Sequence, residues 1–523
     1  MQTFAQDLPP PPPTSECHHD YRVLYTAINM LEDDILLEIF NCCQLGHKYV
    51  WNRQPGYKNS WNDRLGLCKL SHVCRRWRYL IHSSSSHLGT HIMCTNGSPI
   101  VDTLDHLPPL PLFIDYLDQR AQSIGFWERR AISSEDELGI YHALRLHDRV
   151  RRIELCVSPP TLDKSLRFVD KPFPILEHLS LSSTGDDTSL TSLKIGPLFL
   201  APNLRYLYLQ GIRLPKRLQL LSSTLSLVTL KLTNIQACGY IRPRLLAARL
   251  ESLSQLKELS IGFSIPIPRP SVEGLLLGKQ GTPVILSHLK YFTFRGVSAY
   301  LEHLISQIRA PVLRTLDVIL FNQLAFTLTH LSQFVNNTEQ IKFRRSASIE
   351  FSPGSAIFLG PGDGYPGFTL RVICKPFDWQ IDCAAQICIA LMSALSGIEK
   401  LRLNYSGPWR ATSDLDEIQD GIDHTTDDTT WPELLRLFVS VKELLIKQHL
   451  SVVLSRVLEV DEIGLDPGLL PDLQELVSEC YEEDGDSLFG SFIHARQVAG
   501  RPVSFRLLPP SLPTPSLSIA TSE

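Results

Sequence analysis

The feature that most constrains the fold is a pattern of apolar residues that recurs through the middle of the chain. It reads apolar-x-x-apolar-x-apolar, as in "LRYLYL" and "LKELSI", and helical spacing precedes several copies, as in "PRLLAARLESL". The alternation at the end of each copy is typical of a half-buried strand. Each copy is therefore predicted to supply one short strand and often a helix. Six copies, spaced 23 to 33 residues apart, begin at Leu176, Leu204, Leu227, Leu256, Leu289 and Leu313.

One copy cannot bury its own apolar face, so neighbouring copies must stack on each other. A Leu-x-x-Leu-x-Leu unit near this spacing is typical of leucine-rich repeats, although the copies here are irregular in length. "RVRRIELCV" is a candidate first copy, and "LSGIEKLRLNY" and "VSVKELLIKQ" continue the pattern after a longer break. The sequence therefore predicts an α/β fold class, with an irregular leucine-rich-repeat-like β/α solenoid over residues 149–505.

Strand alternation predicts which side chains point away from the buried face of these strands. Tyrosine and arginine are enriched at binding hot spots, which makes the outward positions candidates for binding a protein target. Any solvated strand face carries such residues too, so the alternative is a surface without a binding role. The candidates are Tyr206, Tyr208, Lys231, Tyr291, Arg295, Arg402 and Asn404.

Two N-terminal segments have helical rather than strand spacing. Leu31, Ile35, Leu36, Ile39 and Phe40 share one helix face, and a second stripe occurs in "LSHVCRRWRYLI". The three arginines of this second segment lie outside its stripe, so they are interpreted as a solvated face; the alternative is a nucleic-acid patch. A segment this small cannot bury so many large apolar groups alone, which predicts a docking module completed by a partner.

These residues resemble the F-box, a short helical module. "LEDDILLEIF" is similar to its first half, with Glu32 where the family usually has proline, and Val73, Cys74 and Trp77 match its Val-Cys-x-x-Trp helix. The resemblance implies binding to the SKP-type adaptor of cullin–RING ubiquitin ligases. The residues expected to bind the adaptor are Leu31, Asp34, Ile35, Ile39, Phe40, Leu70, Val73, Cys74, Trp77 and Leu80.

A wider resemblance covers residues 28–505. "LPPLPLFIDYLD", "KPFDWQ", "WPELLRLFVSVKELLI" and "FIHARQVAGRP" are similar to a large family of F-box proteins found in mushroom-forming fungi. The predicted organisation is a Pro-rich disordered leader (1–24), the F-box module (25–95), a connecting region (96–148), the repeats (149–505) and a disordered Pro/Ser-rich tail (506–523).

Motifs that would indicate an enzyme or a metal site are weak. "GDGYPG" at Gly362–Gly367 fits the dinucleotide fingerprint, but a strand pattern rather than a helix follows it, so a hairpin or loop turn is predicted. "CHHD" at Cys17–Asp20 lies in the predicted leader, and the acidic stretch 414–428 lacks the ligand spacing of a calcium loop. We expect no catalytic residues, no cofactor and no metal.

Composition and charge argue against two classes of partner, nucleic acids and membranes. The net charge is −5, which argues against nucleic-acid binding, and no apolar run has the length of a membrane span or signal core. The 12 cysteines include no Cys-x-x-Cys pair, which favours reduced thiols in an intracellular protein, cytoplasmic or nuclear. The predicted function is that of a non-catalytic substrate receptor in an SCF-type ligase, which holds an unknown protein target. The alternative is a ligase-independent interaction scaffold.

Overall fold

The structure is a computed structural model that describes part of the chain. The described residues are 30–45, 70–84, 88, 91–98, 100–104, 109–118, 132–183, 193–196, 199–213, 219–266, 282–360, 367–406, 430–447, 450–461, 469–479 and 488–508. The predicted leader with its Cys17–Asp20 motif, the acidic stretch 414–428, and the tail beyond residue 508 lie outside them. Of the glycine motif, Gly367 alone is described.

The chain divides into two compact units. The first comprises Met1–Cys94 and Pro99–Phe113, and the second comprises Thr95–Ser98 and Ile114–Glu523. The predicted connecting region 96–148 thus contributes to both units.

The described residues contain 14 α-helices and 18 strands. The helices are α1 (Asp33–Leu45), α2 (Arg75–Ser83), α3 (Ile100–Thr103), α4 (Ser134–Arg145), α5 (Pro159–Val169), α6 (Gln219–Ser223), α7 (Pro243–Leu250), α8 (Ser298–Ile305), α9 (Thr329–Asn336), α10 (Phe377–Ala390), α11 (Met392–Leu395), α12 (Thr430–Arg436), α13 (Ser451–Asp461) and α14 (Gly490–Val498). The strands are β1 (Ile92–Thr95), β2 (Leu112–Leu117), β3 (Val150–Val157), β4 (His178–Ser183), β5 (Tyr206–Gln210), β6 (Thr229–Ile235), β7 (Glu258–Phe263), β8 (Val284–Ile285), β9 (Tyr291–Gly296), β10 (Ile308–Arg309), β11 (Thr315–Phe321), β12 (Ser346–Ser352), β13 (Ser355–Leu359), β14 (Phe368–Ile373), β15 (Lys400–Tyr405), β16 (Glu443–Lys447), β17 (Glu475–Glu479) and β18 (Ser504–Leu508).

Sixteen of the described strands form one sheet. Their order is β1-β2-β3-β4-β5-β6-β7-β9-β11-β14-β13-β12-β15-β16-β17-β18, and β8 pairs with β10 separately. Neighbours from β3 through β11 to β14 are parallel, as are neighbours from β12 through β15 to β18. Strand β13 is antiparallel to both β12 and β14. The mixed α/β class predicted from the repeats is confirmed.

The repeated leucine closes a turn just before its strand. The Leu204 amide donates to the Ala201 carbonyl at 3.1 Å, and the Arg205 amide donates to the Glu177 carbonyl of the preceding copy at 2.8 Å. The same two bonds recur in later copies, for example at Leu256 and Lys257. Each copy therefore buries one leucine at a turn, and the backbone amide of the residue after that leucine donates to a carbonyl of the preceding copy.

The remaining apolar positions of the pattern align across the sheet. Leu207 lies in register with Leu179 on one side and Leu230 on the other. Burying one such side chain contributes roughly 1.5–3 kcal/mol, so the stacked row is a main source of stability. The row comprises Ile153, Leu179, Leu207, Leu230, Leu259, Phe292, Leu316 and Phe368, each at most 1% exposed.

The pattern did not predict the antiparallel insertion of β12, β13 and β14. Strand β14 follows the glycine motif, as the strand pattern after it predicted, and it pairs antiparallel with β13. At the C-terminal end, β18 extends to Leu508, three residues past the predicted boundary at 505.

Candidate functional site

The first candidate surface belongs to helices α1 and α2. Their buried core is small and comprises Leu36, Phe40, Leu80, Ile81 and Leu88. The Phe40 and Trp77 rings meet edge to face with centroids 5.0 Å apart. This core uses only one part of the apolar surface that the two segments carry.

The exposed large apolar side chains of the two segments include Met30 and Tyr79 as well as Ile35, Ile39 and Val73. We call Ile35, Ile39 and Val73 the exposed apolar set. Ile35 and Ile39 are 48% and 42% exposed and lie four residues apart on α1, so they share one helix face. Val73 is 50% exposed in the turn that precedes α2. Three branched apolar side chains are thus left exposed to water on one small module.

Polar contacts fix α2 against the start of α1. Arg76 donates through Nε and Nη2 to Asp33 Oδ1, at 2.9 and 2.6 Å, and through Nη2 to the Leu31 carbonyl at 2.6 Å. The Arg78 Nε donates to the Ser71 carbonyl at 3.0 Å. Two of the three arginines interpreted as a solvated face therefore make structural contacts, which the sequence pattern did not reveal.

The ten residues expected to bind the adaptor fall into four groups. Asp34 and the exposed apolar set are accessible, and Leu31, Leu70 and Trp77 are partly buried against the core. Phe40 and Leu80 differ from the expectation, because they are 0% and 5% exposed inside the module's own core and cannot contact a partner directly. Cys74 is half-buried and caps α2, since its Sγ accepts from the Trp77 amide at 3.4 Å.

The second candidate surface is the open face of the sheet, defined as the strand side chains that alternate with the buried row. His178 and Tyr206, on adjacent strands, stack with ring centroids 4.1 Å apart. Burial raises the pKa of the Tyr206 phenol, and the carboxylates of Glu258 and Glu154 raise it further. The hydroxyl therefore stays protonated at neutral pH and can donate a hydrogen bond to a ligand.

Several open-face charges next to these rings are already paired. Lys231 Nζ lies 2.7 Å from Glu258 Oε1, and Arg152 Nη2 lies 2.5 Å from Glu154 Oε2. The Tyr208 hydroxyl donates to Gln210 Oε1 at 2.8 Å. This part of the open face offers aromatic surface with balanced charge rather than a strong field.

The seven candidate target-binding residues all lie on the open face, but not in one cluster. Tyr206, Tyr208 and Lys231 are neighbours on β5 and β6, and Tyr291 and Arg295 lie on β9. Arg402 and Asn404 lie on β15, across the inserted strands. The sequence pattern did not identify Arg371 as a candidate. Arg371 on β14 and Arg295 on β9 lie on either side of Ile319, and each is in register with it.

One buried carboxylate has a structural explanation. Glu302 on α8 accepts from the backbone amides of His330 and Leu331, at 2.7 and 2.8 Å, in the first turn of α9. Burial raises the pKa of this carboxyl group despite both bonds. Glu302 therefore holds α9 against α8, and nothing about its position indicates catalysis.

Glu302→Gln is expected to change how stability depends on pH. Because its pKa is raised in the folded state, the Glu302 contribution is fully present below the unfolded value near 4.5 and is lost as pH rises through the folded pKa. The urea midpoint of the wild type should thus fall relative to the variant between about pH 4.5 and pH 7. A midpoint difference that stays constant over this range would contradict the assignment.

Three cysteines of the second unit, Cys374, Cys383 and Cys388, are buried. Burial raises the pKa of the Cys374 and Cys388 thiols, and that of Cys383 to about 12, so these thiols stay protonated and poorly nucleophilic. Among the described residues there is no group of three His, Cys, Asp or Glu side chains that could hold a metal ion. In the same part of the chain, no helix has both the length and the apolar character to span a bilayer.

Comparison with known proteins adds no assignment. No protein-family model matches the chain, and no curated protein shows significant similarity to it.

Proposed function

We propose that this protein is an F-box protein, the non-catalytic substrate receptor of an SCF-type cullin–RING ubiquitin ligase. The observation that carries the proposal is the exposed apolar set, Ile35, Ile39 and Val73, on a two-helix module whose sequence resembles the F-box. The small buried core orients α1 and α2 and leaves this set for the SKP-type adaptor. Phe40 and Leu80 support the interface from inside.

The second unit would act as the target-binding part. Its repeated turns and parallel register support a leucine-rich-repeat-like β/α solenoid, interrupted by the β12–β13–β14 insertion. Its open face carries tyrosine and arginine side chains of the kind enriched at protein interfaces. The partners are thus the adaptor and a protein target, inside the cell, in the cytoplasm or the nucleus.

The mechanism is proximity. A target held on the open face and an adaptor held on the module share one chain, which raises the effective concentration of target lysines near the conjugating enzyme. The chain itself needs no nucleophile, base or cofactor for this role.

Co-expression of the full-length chain with an SKP-type adaptor tests the proposal. We expect the two proteins to elute together as a stable complex in size-exclusion chromatography. Separate elution of a folded chain and free adaptor would contradict the ligase assignment and favour the ligase-independent scaffold. Glu32, at the position where the F-box family usually has proline, is the sequence feature that favours this alternative.

A further inference from the structure

Two arginines on the open face flank one residue of β11. Arg295 on β9 and Arg371 on β14 are both in register with Ile319, so the three lie side by side across adjacent strands. Neighbouring strands are about 4.8 Å apart, which places the two arginine Cα atoms roughly 10 Å from each other. We call Arg295 and Arg371 the arginine pair. Two long side chains at this separation can converge on one ligand above Ile319.

Neither guanidinium of the arginine pair makes a hydrogen bond or an ion pair within the described part of the chain. No hydrogen bond or ion pair there involves Arg295 or Arg371, and the Nε groups of both are buried without an acceptor. Arg295 lies over the ring of Phe321, with Cζ 5.8 Å from the centroid, which steadies it on the open face. Elsewhere on this face, by contrast, Lys231 and Arg152 have carboxylate partners.

The surrounding charges indicate which anion fits. Asp317 lies two residues before Ile319 on β11; burial raises its pKa, and the charge of Arg371 opposes that rise. Glu350 lies in the same row as Arg371, beyond Ile357. Two guanidiniums thus face a single nearby carboxylate, with a second further off. With one carboxylate nearby, the two guanidiniums leave one uncompensated positive charge, which a ligand with one negative charge balances.

We propose that the arginine pair binds an Asp or Glu side chain from a segment of the protein target. Each guanidinium presents a planar fork of N–H donors that matches a carboxylate. Ile319 between the two arginines and Tyr291 at the start of β9 provide apolar surface for the residues next to that carboxylate. The inference rests on the proposed function, because it assigns the chemistry of the target that the receptor holds.

Fluorescence anisotropy with the full-length chain tests this site. The probe is a short fluorescein-labelled peptide of alternating Glu and Ser, compared at low salt with the same peptide carrying Gln in place of Glu. We expect the Glu peptide to bind at least about tenfold more tightly. Arg295→Gln and Arg371→Gln should each lower its affinity roughly tenfold, and Arg371→Lys should lower it less, because lysine keeps the charge but not the fork.

Arg309→Gln is the matched control, since Arg309 is an exposed arginine on β10, outside the 16-stranded sheet and its open face. It should change the affinity by less than about twofold. Equal binding of the Glu and Gln peptides, or an equal loss in Arg309→Gln, would overturn the site. Tighter binding of a phosphoserine version of the peptide would overturn the choice of a carboxylate. Adaptor binding by the Arg295→Gln/Arg371→Gln variant distinguishes failure of this site from failure of the proposed function. Adaptor binding depends on the proposed function and not on the arginine pair.

Discussion

Replacing Ile35 and Ile39 together by lysine is expected to abolish the complex with the adaptor and leave the chain folded. Both side chains are about half exposed, so their exchange for lysine should change the free energy of unfolding by about 0.5 kcal/mol or less. In the complex they would be buried, where an unpaired charge is strongly unfavourable. Each position at an interface centre contributes about 2 kcal/mol or more, so the affinity should fall at least about 100-fold in isothermal titration calorimetry.

Leu138→Lys is the matched control for this experiment. Leu138 is 58% exposed on α4, beside Glu135, Asp136 and Glu137, and α1 likewise begins with acidic residues. Leu138→Lys therefore makes the same kind of exchange as Ile35→Lys and Ile39→Lys, an exposed apolar side chain for lysine, at a position outside the module. Undiminished adaptor binding by the Ile35→Lys/Ile39→Lys variant would show that the exposed apolar set is not the interface. Loss of binding by Leu138→Lys would show that the assay reports a general effect of charge.

A helical period identifies an apolar stripe but does not say which part of it is covered by the same chain. The stripe on α1 includes Ile35, Leu36, Ile39 and Phe40, and only the packing of α2 shows that Leu36 and Phe40 face inward. The sequence pattern therefore predicted two apolar helix stripes, but not the division between side chains that pack inside and side chains that stay exposed. The Asp33–Arg76 contact was missed because it joins residues 43 positions apart, and no local pattern records it.

The parallel strands were more predictable, since each copy of the apolar pattern carries its own signal. Leu204 marks the turn, and Leu207 and Leu209 mark the buried side of β5, which also fixes Tyr206 and Tyr208 on the open face. The prediction failed where the sequence "SASIEFSPGSAIF" departs from the pattern and the chain turns back as β12 and β13. This insertion places β14 next to β11, and therefore Arg371 within reach of Ile319, which spacing along the chain could not show.

Leu207→Ala is expected to destabilise the second unit far more than Tyr206→Ala, although the two residues are neighbours on β5. Leu207 is fully buried between Leu179 and Leu230, so its truncation leaves a cavity that costs about 2–5 kcal/mol. Tyr206 is half-buried on the open face and loses mainly its stacking on His178, about 0.5–1.5 kcal/mol. Urea unfolding followed by circular dichroism should rank the two variants in this order.

Hydrogen exchange shows where the loss of stability in Leu207→Ala spreads. Because β5 pairs with β4 and β6, protection should fall most in these three strands and least in β16 to β18, which lie far along the sheet. Tyr206→Ala should leave this profile close to that of the wild type. Equal destabilisation by both variants would mean that the buried row does not hold the strands together. A uniform loss of protection in Leu207→Ala would mean that the sheet unfolds as one cooperative block rather than copy by copy.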